Sequence, residues 1–313
     1  MLNKSKLETN IAVVYIALFA LGDYNRLQPW LFYYLVFVGI IVNRSDSQKS
    51  IHSIALILCF LYVMSGLQKA NGGFAYTTHP WLLAPITNLV DSETKDILNS
   101  LFWIGPAIEF IAGIGLIFKK TSRICALILI AMHVFILLMI GPLGRNTNVV
   151  VWPWNIAFIL ILYLIFVKFK PDLLGFIIDS KNVRHTSMVF LAFLILPMLS
   201  FWNLWPKHFS AALYSGNKIR SEILIPDELA EQLKLITPVP SNGLEFVLVP
   251  NAWSLNELKV PLYPSKTAHL LLYQQLCKQY SEYADYFVFT LKPMIDIKSG
   301  ERASIHYFCS DFE

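Results

Sequence analysis

Ionisable side chains are scarce in the first two thirds of this chain, and the few present sit where they need a reason. Glu109 lies near the middle of the apolar stretch Leu101–Phe118, and His133 near the middle of Ile124–Leu143. On antiparallel helices the two come to similar depth, where they can exchange a proton or simply fix helix register. Lys69 closes another apolar stretch, in the string Ser65-Gly66-Leu67-Gln68-Lys69. A buried lysine with a lowered pKa serves as a proton-transfer base; one at a helix end can equally snorkel to the membrane interface. Arg145, Trp152, Trp154 and Asn155 bracket the start of a further stretch, with the tryptophans also suited to an interfacial belt. Lys69, Glu109 and His133 are therefore the catalytic candidates. His79, Arg145, Trp154 and Asn155 are the candidates for holding a cofactor beside them.

The elements that must position these residues are hydrophobic helices. Apolar residues make up 56% of the 313 and charged residues 15%, with mean hydropathy +0.54. A soluble domain carries about a quarter charged residues. The apolar excess is confined to residues 1–205, and from Pro206 onward the composition is that of an ordinary soluble domain. A bilayer core takes roughly 20 apolar helical residues to cross. Ile51–Leu67, Leu101–Phe118, Ile124–Leu143, Val149–Val167 and Ser187–Trp205 meet that length, while Ile11–Tyr24 and Pro29–Val42 are short and need interfacial flanks or bilayer thinning. Lys4 and Lys6 ahead of Ala20-Leu21-Gly22 have the layout of a signal peptide. The first stretch is read as a retained helix, and the orientation is the same either way.

Loop charges set that orientation. With a cytoplasmic N-terminus, eleven Lys/Arg fall in inner segments, and only Arg26, Lys69, Lys95 and Arg145 fall outside. That is a positive-inside bias. About seven spans then place residues 206–313 on the extracytoplasmic face of a bacterial inner membrane. Residues 1–205 carry a balance of +6 and residues 206–313 one of −2, so the basic surplus orients helices and forms no nucleic-acid patch.

The C-terminal part reads as α+β. Strands are expected at Lys218–Ile225, Leu244–Val249, Tyr286–Leu291 and Ala303–Phe308, with a turn at Asn242-Gly243. Helices are expected at Pro226–Leu235 and from Pro264 to about Tyr283, the latter capped by Ser265. Cys59 and Cys125 fall singly in apolar stretches and read as small buried hydrophobes. Cys277 and Cys309 fall in the extracytoplasmic part, where a disulfide between them can persist. The fold expected is thus an all-α polytopic membrane bundle of about seven helices (1–205) followed by a small α+β extracytoplasmic domain (206–313).

No Gly-rich phosphate loop, HExxH, CxxCH or GxSxG occurs, and Ala112, Gly113 and Gly115 read as small-residue helix packing. One longer pattern is informative. YVMSGLQKANGGFAYTTHPWLL (Tyr62–Leu83), IEFIAGIGLIF (Ile108–Phe118), AMHVFILLMIG (Ala131–Gly141) and WPWNIAF (Trp152–Phe158) together resemble the horizontally transferred transmembrane helix (HTTM) domain of vitamin K-dependent gamma-glutamyl carboxylases. The core of the resemblance spans about residues 51–167. It implies a quinone cofactor and places a base that deprotonates the reduced quinone at Lys69. The carboxylases' large lumenal region and their second catalytic histidine have no counterpart, so glutamate carboxylation is not implied. The same core resembles small bacterial DoxX-like and methylamine-utilisation membrane proteins, linked to quinones and thiol redox, but no CxxC is present. Tyr214–Asn217 and Trp253–Pro261 resemble the tail of DoxX-like proteins, which brings no activity.

Two functions stay open. The first is a membrane enzyme or redox component that handles a quinone or other lipid-soluble cofactor near its outer face. The second is a non-catalytic scaffold that docks a cell-envelope protein through YSGN (Tyr214–Asn217), Trp253 and Pro238–Pro240. Membrane lipid is a partner in both, and nucleic acid in neither. A small-solute transporter is weaker, because inverted repeats are missing.

Overall fold

A computed structural model describes residues 2–22, 26, 28–43, 46–216, 219–233, 239–241, 245–258, 262–293 and 295–312. The chain is mostly helical with a small antiparallel sheet. It divides into two compact units, Met1–Gly22 with Leu27–Gly216, and Asn217–Glu313 with Asp23–Arg26.

In the first unit, α1 (Leu2–Leu21) and α2 (Pro29–Asn43) pack on one another, and Asn10 and Asn43 exchange two amide hydrogen bonds of 2.8 Å. α3 (Ser47–Gln68) begins at Asp46, whose carboxylate accepts the backbone N–H groups of Gln48 and Lys49. Its apolar residues run all round the helix, so it lies at the centre of the unit, with Ala55, Leu56, Leu58, Cys59 and Met64 fully enclosed. α4 (His79–Thr87) follows a π-helical turn at Phe74–Thr78, and α5 (Ser92–Ser100) is capped by Asp91. α6 (Ile104–Gly115) continues the direction of α5 and makes the most extensive helix–helix packing in the unit, against α3.

That packing depends on two glycines. A Cβ on Gly66 would lie 2.5 Å from the Pro106 carbonyl oxygen, and one on Gly113 would lie 2.7 Å from the Val63 nitrogen. Only bare backbone lets α3 and α6 come so close. α7 (Ser122–Ile140) and α8 (Val151–Leu162), which runs on as π-helix to Phe169, complete the wall beside them. α9 (Leu173–Ile178), α10 (Val183–Phe190) and the single turn α11 (Leu196–Met198) lead to Trp202 through further π and 3-10 turns.

Among the described residues, five helical segments are long and apolar enough to cross a membrane: Ser47–Gln68, Ser92–Gly115, Ser122–Ile140, Val151–Phe169 and Ser180–Trp202. The second of these starts nine residues before the expected Leu101, because Asp91 supplies a cap that the polar sequence around it concealed. The helices at 74–87 were also not expected. Pro80 and Pro85 mark that stretch as a loop, yet Pro80 sits in the first turn of α4, where its missing N–H costs nothing. Residues 206–216 join the helical unit rather than the C-terminal one, as Ala211 buries in the helical core and Leu213 and Tyr214 pack against it.

The second unit is a five-stranded antiparallel sheet in the order β2-β3-β1-β4-β5, from β1 (Arg220–Pro226), β2 (Val239–Ser241), β3 (Glu245–Leu248), β4 (Val288–Lys292) and β5 (Ile305–Tyr307). In β1, Ser221, Ile223 and Ile225 face inward with period 2. Ile223 stands opposite Leu248 on one side and Phe289 on the other. α12 (Asp227–Gln232) and α13 (Pro250–Leu258) accompany the sheet. α14 (Lys266–Gln279) starts at Ser265, whose hydroxyl accepts the Ala268 N–H at 3.1 Å. His269, Tyr273 and Leu276, spaced along one face of α14, are buried, with the Tyr273 ring stacked on Phe289 at 4.7 Å.

Cys277 on α14 is bonded to Cys309, just past β5, with their Cα atoms 5.7 Å apart. The expected strands and both helices are present with ends shifted by one to four residues. β2 and α13 were not expected: β2 is three residues long with a proline at its centre, and Trp253 and Leu258 gave α13 no clear helical stripe. The expected turn at Asn242-Gly243, together with Lys218 and Pro238, lies outside the described residues.

Candidate functional site

The close approach of α3 and α6 sets two charged side chains against each other. Lys69, the residue that caps α3, is 8% exposed and Glu109 5%. The Lys69 ammonium donates to Glu109 Oε2 at 2.6 Å, to Ser65 Oγ at 2.6 Å and to the Ser65 carbonyl at 3.3 Å. All three of its protons therefore have acceptors, and the second carboxylate oxygen of Glu109 has no protein partner among the described residues. Lys69 does not extend outward from the helix end. It folds back along α3 into the unit.

A second polar chain lies one and two turns lower on the same face of α3. Tyr62, Ser65 and Lys69 follow at i, i+3 and i+7, and so share a side of the helix. The Tyr62 hydroxyl is 2.7 Å from His133 Nε2, and His133 Nδ1 is 2.8 Å from Asn155 Oδ1. Asn155 Nδ2 in turn donates to the Val151 carbonyl at 2.9 Å. Glu109 and His133, expected within direct or water-bridged reach of each other, make no direct hydrogen bond. Glu109 pairs with Lys69 instead, and both ring nitrogens of His133 are taken by Tyr62 and Asn155.

Both groups open into one cavity of about 560 Å³ within the helical unit. Its walls are otherwise apolar, with Leu82, Leu98, Ile108, Met132, Ile136 and Phe158 among them. Trp154 and His79 also line it, and His79 Nε2 faces the Leu98 carbonyl at 3.1 Å. Ala211, Leu213 and Tyr214 close one part of the wall, held by hydrogen bonds from Asn71 to the Ser215 carbonyl and from Asn148 to the Tyr214 hydroxyl. Tyr214 thus faces the cavity and is not a free surface contact, and Trp253 packs against the core of the second unit.

Of the residues singled out from sequence, Lys69, Glu109, His133, His79, Trp154 and Asn155 meet at this cavity. Arg145 does not line it. Its guanidinium lies 4.9 Å over the Trp81 ring and donates to the Trp81 carbonyl. Sequence reasoning passed over Tyr62 and Ser65, although their helical spacing from Lys69 was available as a signal. No group of three or more His, Cys, Asp or Glu suited to a metal ion occurs among the described residues.

The arrangement can hold an amphiphilic ring compound and exchange a proton with it. A mostly apolar pocket of a few hundred Å³ with a few convergent polar groups is the usual form of a small-molecule site. The ion pair is neutral overall, which makes its burial tolerable, and it leaves one carboxylate oxygen turned to the ligand space. Comparison with protein-family models, curated proteins and solved structures finds no match to this chain.

Proposed function

We propose that this is a multi-pass inner-membrane protein whose helical unit takes a lipid-soluble ring compound, a quinone, into its cavity and moves a proton at the ring's polar edge. The observation that carries this reading is the Lys69–Glu109 ion pair opening into an apolar cavity of about 560 Å³. Apolar walls admit a ligand from lipid, and a buried acid–base pair has little use in a helix bundle that only spans.

Seven crossings give a cytoplasmic N-terminus and an extracytoplasmic second unit. α2, with 15 residues, is short for a span, at about 22 Å of rise. The side on which the second unit lies does not depend on it: α1 and α2 form a hairpin, and either both cross or neither does. Lys69 then lies toward the outer leaflet. Alkaline phosphatase fused to the C-terminus of the full chain is expected to be active, and an inactive fusion in an expressed protein would overturn this topology.

A bound quinone supplies an oxygen that gains or loses a proton as the ring changes redox state. The chain's part is to handle that proton. As arranged, Lys69 offers the ligand no lone pair, because each of its N–H groups is already donated. It becomes a base only by passing a proton to Glu109 across their 2.6 Å contact. The two residues therefore work as one acid–base unit: Lys69 passes its proton to Glu109 and takes the ligand's proton in return, so the carboxylate ends protonated and the restored ammonium balances the charge left on the ligand. Such a role for Lys69 agrees with the resemblance of Tyr62–Leu83 to the carboxylase domain.

Quinones quench tryptophan fluorescence on contact, and Trp154 is in the wall. Titration of the purified protein with a short-chain quinone is expected to give saturable quenching that is reduced in Trp154→Phe. Lys69→Arg, which keeps a charge but cannot release its proton, is expected to keep the saturable quenching and to lose the proton exchange that a pH-sensitive dye reports when dithionite reduces the bound quinone. Quenching that rises linearly with added quinone and is identical in all variants would sink the reading.

A further inference from the structure

The chain Tyr62–His133–Asn155 has a direction, and the direction says which ligand atom can meet it. It begins at a fixed point: the Val151 carbonyl is an acceptor, so the Asn155 amide must turn its NH2 toward it, at 2.9 Å. Asn155 Oδ1 then faces His133 Nδ1 at 2.8 Å and can only accept. His133 therefore carries its proton on Nδ1, and Nε2 is left as a bare lone pair. Tyr62, 2.7 Å away, must donate its hydroxyl proton to that lone pair. What Tyr62 shows the cavity is an oxygen whose proton is already committed.

The Lys69–Glu109 pair ends the same way. The ammonium has three acceptors, and what remains toward the cavity is a carboxylate oxygen. Both polar groups on this side of α3 offer acceptors, one held by Tyr62 and the other by Lys69, whose backbones are about 10 Å apart along the helix.

We infer that the cavity selects a ligand whose polar head donates hydrogen bonds, a ring hydroxyl or comparable O–H group, and that Tyr62 reads this group while His133 and Asn155 act as positioning residues that set its polarity. This rests on the proposed reading of the cavity as a site for a lipid-soluble ligand, and deepens it by naming the form of the head group. A ligand that can only accept, such as an ether or the carbonyl of an oxidised quinone, leaves the Tyr62 oxygen facing another lone pair and is held less tightly than a ring that bears a hydroxyl. Losing one neutral hydrogen bond in a buried site costs up to about tenfold in affinity.

The test uses the full-length protein in detergent and two probes that differ by one hydrogen-bond donor, 4-dodecylphenol and its methyl ether. The wild type is expected to bind the phenol about tenfold more tightly in the saturable part of a calorimetric titration. Tyr62→Phe keeps the ring and is expected to bring the two within about twofold, with ether affinity unchanged. Equal affinity for both probes in wild type and Tyr62→Phe would overturn the inference and leave the cavity reading standing. Failure of both probes to bind saturably would remove the cavity reading and this one with it. Histidine ¹⁵N spectra supply an independent readout, with the His133 signal assigned through His133→Gln. A proton on Nδ1 is expected in the wild type, and loss of that tautomer in Asn155→Leu. A proton on Nε2 in the wild type would contradict the inference whatever the probes do.

Discussion

Both units of this protein bury a histidine against a hydroxyl, and they do so to different ends. In the helical unit His133 meets Tyr62 at 2.7 Å beside a cavity, within the same walls as a buried ion pair. In the C-terminal unit His269 meets Ser221 at 2.6 Å, with both side chains almost fully enclosed between α14 and the sheet. The first arrangement leaves acceptor atoms turned toward open space. The second faces packed side chains, Ile223, Tyr273 and Phe289 among the core residues around it. The contrast teaches that a buried polar pair marks a site only where there is room beside it. In a close-packed core the same chemistry is a structural hydrogen bond.

Breaking the ion pair is the strongest way to test that contrast. Lys69→Met leaves the Glu109 carboxylate buried without its partner, expected to cost about 3–5 kcal/mol. The double variant Lys69→Met/Glu109→Leu removes both charges and is expected to recover most of this loss, yet to stay inactive. Thermal unfolding in detergent measures the first effect, and dye-reported proton exchange on dithionite reduction of the bound quinone measures the second. A double variant as unstable as the single would show that the pair is needed for packing.

The C-terminal unit should respond to a different break. The Cys277–Cys309 bond closes 32 residues, worth about 3–4 kcal/mol in the chain-entropy model. Cys277→Ser/Cys309→Ser is expected to speed hydrogen exchange at Ile223 and Phe289 by that amount and to leave quinone quenching unchanged.

Acid gives a third, comparable effect. Burial lowers the His269 pKa from 6.5 to about 4. The folded unit thus binds the proton less readily than the unfolded chain. Stability is complete above about pH 6.5 and is lost as pH falls toward 4, by about 3 kcal/mol in all. His269→Gln is expected to flatten this slope, as read by denaturant unfolding across that pH range. A slope that survives the substitution would assign the acid sensitivity elsewhere.

The smallest effect is Ser221→Ala, which removes one buried hydrogen bond and is expected to cost about 1 kcal/mol, with no change in the helical unit.

The helices and the side chains at the cavity were legible to different degrees. α3 reads directly from its unbroken apolar run and the Ser265 cap from its local sequence, while the cysteine pair was expected because both cysteines fall in the part read as extracytoplasmic. The partner of Glu109 was not legible. Matching depths pointed to His133, whereas the contact with Lys69 arises because Gly66 and Gly113 let α3 and α6 touch backbone to backbone. Which glycine faces which helix is a property of the assembled bundle. The same holds for Ala211 and Tyr214: they lie in the stretch read as the start of the C-terminal domain, and only the folded chain shows them closing the cavity wall. Arg145 shows the converse. Its position beside the sixth apolar stretch suggested a ligand contact, but Trp81 supplies both a ring face and a carbonyl that hold it aside.

The central claim, that the helical unit holds a lipid-soluble ring compound against Lys69 and Glu109, is tested most directly by what travels with the protein. Purified full-length protein would be extracted with organic solvent and the extract compared by mass spectrometry with that of Ala131→Trp, which fills the cavity. The account predicts a ring-bearing isoprenoid compound near one per chain in the wild type and its loss from the variant. Extracts that contain only bulk phospholipid, in the same proportions from both proteins, would contradict it.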